Sequence, residues 1–94
     1  MCEIFAGQPA GNYESETRSM RLNGHCTSIR LERLFWRVLG EIAEAEGTTV
    51  PQFVSKLHAE VLERNGEAPN FASMLRCACL VHLERRPAPA IAAE

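Results

Sequence analysis

The chain has 94 residues, 46% hydrophobic and 23% charged, an ordinary globular composition that fits one domain and argues against general disorder. A chain this short buries only a modest core, so a partner subunit is expected. No apolar run reaches the roughly 18 residues a spanning helix needs, and the start Met1-Cys2-Glu3-Ile4-Phe5 lacks the basic region and apolar stretch of a signal peptide, which predicts a cytoplasmic protein with no membrane partner.

The net charge of −2 is unevenly distributed. Between Arg18 and Arg37 stand five arginines (Arg18, Arg21, Arg30, Arg33, Arg37) and one acid, Glu32, a segment of +4 that leaves −6 for the rest. A dimer would double that segment into a basic patch of the kind a phosphate backbone requires. The four cysteines are expected as free, mostly buried thiols in a reducing compartment.

Residues 1–16 contain Gly7, Pro9, Gly11 and Asn12 without any period and read as an irregular arm whose apolar residues, Ile4, Phe5 and Tyr13, dock somewhere. From Thr17 to Leu31 the pattern alternates, with Met20 and Leu22, then Ile29 and Leu31, separated by polar residues. Asn23-Gly24 between the two runs favours a two-residue hairpin pairing Thr17–Leu22 with His25–Leu31. Met20, Leu22, Ile29 and Leu31 then face inward, and Ser19, Arg21, Cys26, Ser28 and Arg30 outward. From Glu32 to Glu46 the apolar residues Leu34, Phe35, Val38, Leu39 and Ile42 recur at helical spacing, closed by Gly47. A second helix starts at Thr49 with a T-x-x-Q capping box to Gln52 and Pro51 in the first turn; its stripe is Phe53, Val54, Leu57, Val61 and Leu62, ending at Asn65-Gly66. Asn70 introduces a third helix, Phe71 to about Arg85, so apolar around Cys77–Val81 that it must be covered on more than one side, by the other helices and by a partner chain. Residues 17–85 thus form the domain, and 86–94 read as a disordered tail.

The run Thr27-Ser28-Ile29-Arg30-Leu31-Glu32, then Phe35-Trp36, Leu39, Glu41-Ile42-Ala43, Gly47-Thr48-Thr49 and Phe53, Val54, Leu57, resembles the ribbon-helix-helix family over about Thr27 to His58. Segments Thr17–Leu22, Thr27–Ile42 and Asn70-Phe71-Ala72-Ser73 resemble a bacterial subfamily of Arc-repressor-like fold and no known target, over about Cys2 to Leu83. The resemblance implies a mainly α fold with a short β-ribbon, a ribbon-helix-helix plus a third C-terminal helix, as an intertwined homodimer. Its function would be DNA-binding transcription regulation, with a ribbon of one strand from each subunit reading the major groove of double-stranded DNA. Ser28, Arg30 and Cys26 would face bases, Arg30 being able to grip guanine O6 and N7 together. Arg18, Arg21, Arg33 and the helix start Thr48, Thr49 and Val50 would face phosphate. The dimer core would comprise Ile29, Leu31, Phe35, Trp36, Val38, Leu39, Ile42, Phe53, Val54 and Leu57.

The hairpin conflicts with simple groove reading. Two hairpins joined across a dimer make four strands, roughly 14 Å across, whereas a major groove about 12 Å wide admits two. Either Arg18 and Arg21 wrap phosphate from a flexible arm, or the surface binds something other than duplex DNA. The alternative function is a protein-interaction module, antitoxin-like or adaptor, in which the arm and third helix hold a protein partner. Cys77, Cys79, His82, His25 and Cys26 are metal-binding residue types, but Cys77 and Cys79 point about 160° apart on a helix, so no metal or other cofactor is expected. No nucleophile-and-base set or phosphate loop occurs, so the chain does not read as an enzyme.

Overall fold

The computed structural model describes residues 2–86. Helix α1 (Cys2–Ala6) and a 3-10 turn (Ala10–Asn12) precede strands β1 (Ser15–Leu22) and β2 (His25–Glu32), followed by helices α2 (Arg33–Ala45), α3 (Val50–Asn65) and α4 (Phe71–Arg85). The molecule is therefore mainly helical with one two-stranded antiparallel ribbon. The expected tail lies, from residue 87 on, outside the described residues.

The strands pair within the chain, with Ser15 opposite Glu32 and Leu22 opposite His25. Asn23 and Gly24 both take positive φ, 53° and 86°, the backbone of the two-residue turn whose twist matches a ribbon. A ladder opened by such a turn bonds alternate pairs, and the Arg33 N–H to Glu14 carbonyl bond of 2.8 Å carries the same alternation past the strand ends. The pairing reaches two residues further upstream than the apolar alternation indicates, because Ser15 and Glu16 are placed by backbone bonds and not by apolar side chains. The stretch expected to be irregular also holds the short helix α1 and the 3-10 turn, each too short for any period to show.

The inward face of the ribbon carries Met20, Leu22, Ile29 and Leu31, all buried. They meet Trp36, Val38, Leu39 and Ile42 from α2, Val54 from α3, and Leu75 and Cys79 from α4, with Phe35, Phe53 and Leu57 packed against them. Each such aliphatic side chain contributes roughly 1.5–3 kcal/mol. Every residue assigned above to a dimer core thus has a place in the core of a single chain.

Local chemistry sets the helix ends. After α2, Gly47 at φ 70° lets the Thr48 N–H reach the Ala43 carbonyl and the Gly47 N–H the Glu44 carbonyl, a Schellman closure. At α3 the Thr49 side chain accepts from the Gln52 amide while the Gln52 side chain accepts from the Thr49 amide, both at 3.3 Å. Asn70, which introduces α4, sits in the left-handed region at φ 53° and its side chain makes no capping bond. Asparagine tolerates that conformation, so Asn70 serves the bend into α4 instead.

Strand β1 is tied to α2 by Trp36, whose buried indole N–H donates to the Glu16 carbonyl at 2.8 Å. Replacing Trp36 with Phe removes the donor and part of the ring, and is expected to lower the urea-unfolding free energy by about 1–3 kcal/mol; an unchanged midpoint would show that the bond does not hold the strand.

Candidate nucleic-acid interface

Because strand residues alternate in direction, the buried set on one face dictates the other. Thr17, Ser19 and Arg21 of β1 lie beside Arg30, Ser28 and Cys26 of β2, and all six are exposed. Arg21 and Cys26 stand nearest the turn, Ser19 and Ser28 in the middle with their hydroxyl oxygens 3.3 Å apart, and Thr17 and Arg30 nearest the helices. The Arg21 guanidinium donates to the Gly24 carbonyl at 3.2 Å. Arg30 makes no ion pair among the described residues. Two extended cations and three hydroxyls thus line one ribbon face, with the donors and acceptors that read base edges and phosphates.

The remaining basic residues lie elsewhere. Arg18 falls on the inward side of β1, its guanidinium 4.6 Å from the Trp36 ring centroid and 2.6 Å from the Glu16 carboxylate. Arg33 lies 3.5 Å from Glu16 and 3.9 Å from Glu14. Two of the three arginines assigned to phosphate are therefore held by carboxylates, and Arg18 belongs to a strand, not to a flexible arm. The two glutamates stand just upstream of the basic segment, so a charge count starting at Arg18 misses them. Ion pairs this exposed are each worth only about 0–1 kcal/mol, but they halve the apparent +4.

The helix start assigned to phosphate is also occupied from within. The Thr48 amide bonds Ala43, the Thr49 amide bonds Gln52, the Gln52 amide bonds Thr49, and Pro51 has no N–H. Only Val50 keeps an amide without a partner in the first turn, among the described residues.

Two side chains that sequence reasoning passed over, His58 and Arg76, position the ribbon. His58 of α3 sits 3.0 Å from the Asn23 side-chain amide and stands edge-on to Phe71 at 4.9 Å, linking the turn to the start of α4. Arg76 of α4 reaches Glu32 at 2.9 Å, and this hydrogen bond holds the Glu32 carboxyl below its usual range. No local pattern announces these contacts, which join residues 35 and 44 positions apart.

The cysteines divide as helical geometry requires. Cys77 is exposed and Cys79 buried, Cys2 and Cys26 being exposed as well, so exposure rather than burial is the commoner state. The Cys79 thiol lies 3.6 Å from the Phe35 carbonyl, and burial pushes its pKa up to about 11. Among the described residues no group of three or more metal-ligating side chains converges.

A model of the "Ribbon-helix-helix domain" family matches residues 15–83. The chain belongs to the ribbon-helix-helix domain family. No curated protein matches it. Among solved structures, an uncharacterized protein from Bordetella pertussis Tohama I is similar at 45% identity and a TM-score of 0.87, over 96% of this chain and 76% of that one. In this ribbon-helix-helix chain the ribbon is completed by β1 of the same molecule, where the resemblance implies one strand from each of two subunits.

The raised Cys79 pKa has a signed consequence. An unfolded thiol ionises near 9.0 while the folded one resists to about 11, so the stabilising difference is intact below pH 9 and is lost as pH rises toward 11. Maleimide labelling of the native protein at pH 7.5 is expected to modify three cysteines and spare Cys79. Denaturation scans should show a fall in stability above pH 9 that Cys79→Ala removes.

Proposed function

We propose that this protein is a homodimeric DNA-binding transcription regulator in which the hairpin of each chain enters the major groove as a unit, outward face toward the bases. The observation that carries the reading is the outward face itself, with Arg21, Arg30, Ser19, Ser28 and Thr17 exposed on one side of a ribbon only two strands wide. A single hairpin fits the roughly 12 Å groove that a four-stranded sheet would overfill. Arg30 and Ser28 are the base readers, Cys26 borders them, and Arg21 reaches phosphate at the rim. Arg18 and Arg33 act mainly by holding β1 in place. Family membership supports the same reading. In the homodimer, the two copies address two half-sites of a palindrome.

A second reading, a protein-interaction module, draws on a groove of about 360 Å³ beside the free edge of β2, lined by Ser28, Arg30, His58, Phe71 and Ala72 among others. An extended peptide could add there as a further strand. The two separate in one experiment, selection from a random-sequence duplex pool at low and moderate salt. The regulator is expected to enrich a palindromic site, with Arg30→Ala costing about 1–3 kcal/mol at one base pair and Arg33→Ala costing less. A folded protein that enriches no sequence would exclude the groove-reading ribbon and favour the peptide groove.

A further inference from the structure

Arg30 is unpaired although a carboxylate stands within its reach. By strand alternation Glu32 follows Arg30 on the outward side of β2, its backbone still extended at φ −62° and ψ 145°. Residues two apart on a strand are separated by about 7 Å at Cα, a gap that an arginine side chain spans to meet a glutamate. The two nevertheless do not bond. Arg30 makes no ion pair among the described residues, and Glu32 lies instead 2.9 Å from the Arg76 guanidinium.

The surroundings of Arg76 fix that choice. It comes from α4, 44 positions along the chain, and its guanidinium stands 5.9 Å from the centroid of the Phe35 ring, a contact that holds it beside the start of α2. The side chains of Arg76 and Glu32 are each 34% exposed, so their attraction is screened less than that of a fully exposed pair. Arg30 is exposed on the open side of the ribbon and gives up more side-chain freedom to reach the same carboxylate. Glu32 responds to both cations: its carboxyl is held below the usual range first by the Arg76 hydrogen bond and least by the charge of Arg30.

We propose that Arg76 is a positioning residue for the reading face: by occupying Glu32 it keeps the Arg30 guanidinium unpaired and free to meet a guanine. Without Arg76 the carboxylate passes to Arg30, and the fork that reads the base is spent on its own strand. The consequence for DNA rests on the regulator reading proposed above, whereas the transfer of Glu32 between two arginines is a property of the protein alone.

The transfer is read first without DNA, by NMR titration of the Glu32 carboxyl in wild type, Arg30→Ala, Arg76→Met and the double variant. Methionine keeps a long apolar chain over Phe35, and circular dichroism checks that each variant is folded. Removing Arg30 is expected to raise the Glu32 pKa more in the Arg76→Met protein than in wild type, since only there does Arg30 hold the carboxylate. Equal shifts would overturn the proposal.

The second arm uses the duplex enriched from the random pool, and the same duplex with adenine in place of the guanine that Arg30→Ala ceases to select. Arg76→Met is expected to reduce the preference between them roughly two- to fivefold, and Glu32→Gln added to it to restore the preference. A merely structural Arg76 would weaken both duplexes alike and would not be rescued at Glu32. Glu32→Gln alone removes the competitor without touching α4 and is expected to leave the preference at the wild-type level. An intact preference in Arg76→Met, a failed rescue, or a fall in Glu32→Gln alone each contradicts the proposal. A pool that enriches no sequence defeats the regulator reading and with it the role at guanine, while the titration still decides the transfer.

Discussion

The structure turns on one hydrogen bond, from the buried indole of Trp36 to the carbonyl of Glu16. Strand β1 packs against α3, but a two-stranded hairpin alone is marginal in water. By donating from the first turn of α2 into the strand's backbone, Trp36 makes the helix that follows the ribbon responsible for the strand that begins it. Arg18 then lies over the indole ring and Arg33 closes the end of the ladder on Glu14. The ribbon is consequently a property of one chain, and the composition of its outer face is decided by that chain's alternation alone.

This arrangement divides the basic residues by task. Arg18 and Arg33 are near Glu14 and Glu16 and serve architecture, while Arg21 and Arg30 face solvent. A surface with so few uncommitted cations is poorly suited to grip phosphate indiscriminately. On the proposed reading, discrimination would come from the geometry of a few donors, chiefly the fork of Arg30 supported by the hydroxyls of Ser28 and Ser19. The capping box at Thr49 and Gln52 reinforces this division, since it commits to helix stability the amides that could otherwise hold an anion.

Much of this was legible because it is local. Alternation around Met20, Leu22, Ile29 and Leu31 placed the faces of the ribbon, Asn23-Gly24 placed its turn, and Gly47, Thr49 and Gly66 placed the ends of α2 and α3, each through chemistry contained within a few residues. What escaped depends on contacts across the fold. Nothing in the spacing of Arg18 tells that Trp36 will lie beneath it, nor does alternation say whether a strand's partner belongs to the same chain. Asn70 introduces α4 as expected, but one residue type suits both a cap and a left-handed bend, and only the surrounding chain path decides between them. At α4 the sequence indicated two apolar sides, but which neighbour covers the outer one is not written in its periodicity.

Completing the ribbon within one molecule also changes the order of the reaction that builds it. A ribbon assembled from two chains forms only when they collide, so its rate rises with protein concentration. Here β1 and β2 are joined by two residues, and such a hairpin closes on the microsecond scale without a second molecule. The two-stranded ribbon is therefore in place on a freshly released chain, before any encounter with another copy.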